Sequence, residues 1–99
     1  MQLKVAYDDN SEQLVAGLKE SLVDFPMIEL EAYHEQLFKE RKKAFAIKNE
    51  WGTRMTPFAI LIDNNNVPVI AFYSEQGNCT KTKILEALHN WIVYGKKIY

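Results

Sequence analysis

Gly52-Thr53-Arg54-Met55-Thr56-Pro57-Phe58-Ala59-Ile60-Leu61-Ile62 is the stretch on which the reading of this chain turns. From Phe58 to Ile62 every residue is apolar, the pattern of a strand covered on both faces. Pro57 stands at the entry of that strand, where the donor it lacks is least needed by a ladder. The run stops at Asp63-Asn64-Asn65-Asn66, a turn whose Asn residues tolerate the left-handed region. Val67 to Tyr73 then forms a second apolar strand with Pro68 near its start, so the two read as an antiparallel hairpin.

Upstream, Leu3, Val5 and Tyr7 alternate with Lys4 and Ala6, a short strand that ends in Asp8-Asp9-Asn10-Ser11. Those four polar residues read as a turn and helix cap, because they accept hydrogen bonds from the free amides of a following helix. Leu14, Leu18, Leu22 and Phe25 recur at helical spacing, predicting a helix from about Ser11 to Asp24, closed by Pro26. Met27 to Tyr33 alternates as a second strand. His34 to Asn49 is dense in good helix formers and predicts a second helix, which Trp51-Gly52 breaks. Downstream, Gly77-Asn78-Cys79-Thr80 introduces a last helix with Ile84, Leu85, Leu88, Trp91 and Ile92 on one side.

The order is β-α-β-α-β-β-α, an α/β chain in which the first β-α-β makes a parallel, right-handed unit. A four-stranded mixed sheet flanked by three helices would place the strand 58–62 at its centre. Residues 1–99 suit one domain with a core of its own. Apolar residues make up 47% and charged residues 25%, the balance of an ordinary folded domain. Twelve basic against 13 acidic residues give a net charge of -1, which offers nucleic acid or an anionic membrane no attraction. No stretch is long enough to span a bilayer, and no signal core follows Met1. Cys79 is the single cysteine, so no intrachain disulfide forms, and a reducing cytoplasm is the expected compartment.

In this order, and in Gly52 to Ile62 above all, the chain resembles the glutaredoxin-like core of the thioredoxin superfamily. There a glycine and a basic residue precede a proline and an apolar strand. The family's proline follows a cis bond and faces the active-site turn, which implies a cis Thr56–Pro57 bond here. Gly77-Asn78-Cys79-Thr80-Lys81 resembles the turn that helps glutaredoxins hold glutathione at the last helix's N-terminus. Asn78 replaces its second glycine, and Lys81 replaces the acid that meets the ligand's amino group.

What defines the family's chemistry is missing. Its enzymes carry a cysteine at the N-terminus of the first helix, where backbone amides stabilise the thiolate. The corresponding turn here is Asp8-Asp9-Asn10-Ser11, which holds no thiol. Asp8 and Asp9 as ligands of a hard cation would need further oxygens, so the cap reading stands ahead of a metal site. Ser11 has no local base to make it a nucleophile. His34 and His89 lie at unrelated spacings, and no metal is expected. The Lys39–Lys43 run includes Glu40 and reads as a solvated helix face.

Three functions follow as expectations. The first is a non-catalytic thioredoxin-fold module that binds a protein or peptide at the cis-proline face, through Met55 and Thr56 beside Pro57. Arg54, Trp51 and the degenerate turn Asp8–Ser11 would border that groove. The alternative is an atypical redox protein that uses glutathione, held by Gly77, Asn78, Cys79 and Thr80, or the lone Cys79. The third is an accessory subunit whose fold supplies a surface for assembly. No catalytic residue and no resident cofactor are expected under the first.

Overall fold

The computed structural model describes residues 1–35 and 56–95, and these form a four-stranded mixed sheet with two α-helices and short 3-10 turns. The elements are β1 (Gln2–Tyr7), α1 (Glu12–Ser21), β2 (Glu29–His34), β3 (Phe58–Ile62), β4 (Pro68–Tyr73) and α2 (Lys81–Tyr94). Of the three expected helices, the one predicted over 34–49 lies outside the described residues from 36 on. Its first residue, His34, belongs to β2, because it pairs with Tyr7 at the end of the parallel ladder.

The sheet runs β2-β1-β3-β4. β1 is parallel to β2 and antiparallel to β3, which is antiparallel to β4. Ala6 pairs with Phe58 at one end and Gln2 with Ile62 at the other, so β3 enters beside the C-terminal end of β1. All five β3 residues are buried, as their continuous apolar run predicts. Leu3, Val5, Ala59, Leu61 and Phe72 pack with Val15 and Leu18 of α1 and Ile84 and Leu88 of α2. Ala6, Phe58, Ile60 and Ile62 form a second buried cluster, to which Tyr33, Ala71 and Tyr73 add partly buried surface.

The hairpin turn is built by Asp63. Its Oδ1 accepts the amides of Asn65 and Val67, both at 2.9 Å. Asn66 takes φ 63°, a left-handed value that Asn reaches more readily than a branched residue.

The first helix is shorter than the periodicity implies. Asp9–Ser11 is a 3-10 turn, α1 occupies Glu12–Ser21, and Leu22–Asp24 closes in 3-10 geometry. The leading turn is tightened by Asp8, whose Oδ1 accepts the Asn10 amide at 2.8 Å. At the far end, a turn across Phe25–Ile28 holds Pro26 and Met27 out of the ladder, and β2 begins at Glu29 rather than Met27. α2 is capped at both ends: Thr80 Oγ1 accepts the Lys83 amide at 3.2 Å, and Gly95 adopts φ 67°. Lys81 lies across α1, its Cδ 3.1 Å from the point where a Cβ on Gly17 would stand.

Candidate functional site

Strand direction alone brings three segments to one end of the sheet. β1 and β2 both end there, at Tyr7 and His34, and β3 starts there, at Phe58. The turn after β1, the residue after β2 and the proline before β3 therefore meet. The Thr56–Pro57 peptide bond is cis.

Thr56 makes the central contact. Its Oγ1 donates to Asp8 Oδ2 at 2.6 Å, and Glu35 Oε2 lies 3.2 Å away as a second acceptor. A hydroxyl has one proton, and the shorter distance assigns it chiefly to Asp8. Ser11 Oγ accepts the Asp8 amide at 2.9 Å and donates to Asp8 Oδ1 at 3.0 Å, completing a reciprocal cap. These contacts hold the Asp8 carboxyl below the usual carboxylate range. The Thr56 hydrogen bond is the largest cause, partial burial opposes it, and Ser11 and Asn10 add to it.

Beside this pair, Asp9 Oδ1 sits 2.8 Å from His34 Nε2, and the His34 ring meets Tyr7 edge-on at 5.4 Å. Asp9 and Asn10 are exposed, whereas Ser11 is buried. The site thus presents a fixed carboxylate, a cis-proline turn and an Asp–His pair. Among the described residues, no group of three His, Cys, Asp or Glu side chains comes together to hold a metal ion. No described helix is long and apolar enough to cross a membrane.

Of the residues singled out from sequence, Asp8, Asp9, Asn10, Ser11, Thr56 and Pro57 are gathered at this end. Trp51, Arg54 and Met55 lie outside the described residues. Tyr7, His34 and Glu35 are additions. The signal that locates His34 is the parallel β-α-β unit, whose register sets the end of β2 beside the end of β1.

The Gly77–Thr80 turn is engaged in structural contacts. Gly77 takes φ 73° after a 3-10 turn over Ser74–Gln76. Asn78 Oδ1 accepts the Tyr73 amide at 2.6 Å, closing the end of β4. Thr80 caps α2. Cys79 is only 6% exposed, within the core formed with α1 and α2. Burial pushes its thiol up to about 12, so almost no thiolate exists near neutral pH. Among the described residues, no hydrogen bond or ion pair joins this turn to Asp8–Ser11.

No known protein family, curated protein or solved structure matches this chain.

Proposed function

We propose that this chain is a thioredoxin-like scaffold that binds an extended protein or peptide segment at its cis-proline end, without thiol chemistry. The observation that carries the reading is the Thr56–Asp8 contact. The residue before a cis proline meets the turn after the first strand, and that turn holds no cysteine. A parallel first β-α-β followed by an antiparallel hairpin and a closing helix supports the thioredoxin-like reading.

Thioredoxins hold a substrate segment against the backbone just before their cis proline. Such strand-like pairing draws its affinity from main-chain hydrogen bonds and needs no nucleophile. Thr56, beside Asp8–Ser11, supplies such groups in this chain, and the sequence reading adds Met55, Arg54 and Trp51, which lie outside the described residues. Of the two forms of the redox alternative, the one that relies on the lone Cys79 needs a reactive thiol, and the depth at which that thiol is buried weighs against it; the one that holds glutathione without a protein nucleophile is left to a binding test.

The test is selection of extended peptides from a displayed library, followed by amide-shift mapping on labelled protein. Shifts clustered at Asp8–Ser11 and Thr56–Phe58, with affinity lost in Arg54→Glu and Thr56→Pro, are expected. Selected peptides that bind both variants as well as the parent would overturn the reading.

A further inference from the structure

β4 is the last strand of the sheet, and among the described residues nothing pairs with its outer side. Its six residues, Pro68 to Tyr73, carry no charge. Charged side chains are a common guard at such an edge, and an apolar strand without them is a template for pairing with another chain. The contacts at the two ends of β4 close most of that template.

Along an antiparallel ladder, successive residues turn their N–H and C=O alternately toward the partner strand and away from it. Tyr73 sets the alternation. Its N–H donates to Asn78 Oδ1 at 2.6 Å rather than to β3, so Tyr73 and, two residues back, Ala71 face outward. The Asn78 N–H donates to Tyr73 O at 3.4 Å, so one residue occupies both outward groups. Tyr73 itself keeps extended backbone, φ -118° and ψ 130°, fit for a ladder. The 3-10 turn over Ser74–Gln76 and left-handed Gly77 carry Asn78 back to it. At the other end Pro68 has no N–H to offer, and the register shift opposite Leu61 and Ile62 breaks the regular edge.

We infer that Asn78 is a stopper that keeps the β4 edge from pairing with a second copy of this chain. Antiparallel pairing of two such edges about Phe72 exchanges the outward groups of Ala71 with those of Tyr73 in the second copy, and the reverse. Both exchanges need Tyr73, which Asn78 already holds. The second copy is the occupant because a two-fold axis makes this edge its own complement, equally extended and uncharged. Without the Asn78 side chain, the Tyr73 N–H is released and only the long 3.4 Å contact remains to be displaced. The role uses no residue of the cis-proline turn, so it stands or falls apart from the binding proposal.

The experiment compares labelled parent and Asn78→Ala from micromolar to millimolar concentration, by amide spectra and sedimentation equilibrium. In the parent, the Ala71 and Tyr73 amides should not move with concentration. In Asn78→Ala the Tyr73 amide faces water when dilute. On concentration the average mass should rise toward that of a dimer, with shifts centred on Ala71 and Tyr73. The amide spectrum reports that the variant is folded, and Asn78→Gly repeats the test if alanine disturbs the turn. The inference is overturned if the folded variant shows no association at millimolar concentration, if its shifts lie away from β4, or if the parent pairs through β4 to the same extent.

Discussion

Thr56 Oγ1 and Asp8 Oδ2 are 2.6 Å apart although 48 positions separate the two residues, so one hydroxyl fastens the turn after β1 to the loop that enters β3. The contact is charge-assisted, and that couples it to pH. Thr56→Val removes the donor while keeping the shape. The Asp8 carboxyl then rises toward its ordinary value of 3.8, and stability at neutral pH falls by about 1 kcal/mol. The sign follows from a folded-state pKa below the unfolded one: the stabilisation is present above the unfolded value and lost as pH falls through the folded value. Urea unfolding of both proteins at pH 7 and in strong acid checks this. Their midpoints should differ at pH 7 and converge in acid.

Cys79 gives the opposite sign. Its thiol is pushed up from an ordinary 9.0 to about 12 by burial. Folding therefore favours the neutral thiol, and stability declines as pH climbs from about 9 toward about 12. At pH 8 a small thiol reagent should label the folded protein far more slowly than the urea-unfolded chain, a comparison that mass spectrometry reads directly.

Gly17 tests how Lys81 packs across α1. A methyl there meets Lys81 Cδ at 3.1 Å, part of a flexible stem that can swing aside. Replacing Gly by Ala inside a helix is worth about 1 kcal/mol. Gly17→Ala should therefore raise stability, by somewhat less than that, in thermal or urea unfolding. A loss of stability would mean that the Lys81 stem is held in place.

Asn78 guards the end of β4. Its side-chain oxygen takes the Tyr73 amide at 2.6 Å. Asn78→Ala leaves that donor to water and should cost about 1 kcal/mol. The Tyr73 amide should exchange with solvent markedly faster in the variant, while amides of β1 and β3 keep their protection.

Much of the fold was legible because its signals are local. The apolar run Phe58–Ile62 and the Asp63–Asn66 turn give a buried strand and a hairpin with little help from distant residues. The ends of α1 were harder, since its 3-10 turns depend on the Asp8 side chain and on the turn that carries Pro26. The helix formers that follow His34 point to a helix there, but its pairing with Tyr7 decides its state. The meeting of Thr56 with Asp8 was accessible only through the family resemblance, for no spacing rule joins residues so far apart. Glu35 and the Asp9–His34 pair come from strand register, which the sequence pattern leaves open. Asn78 read as a departure from a glycine pattern, and its task of closing β4 emerges only from the folded geometry.

Binding at the cis-proline end without thiol chemistry is the proposal to test first, by titrating reduced glutathione into labelled protein with a thiol-transfer assay alongside. No saturable shifts at Thr56–Phe58 or Gly77–Lys81 are expected at millimolar ligand, and no turnover in either the parent or Cys79→Ser. Saturable shifts at those two segments, with turnover that Cys79→Ser abolishes, would contradict it.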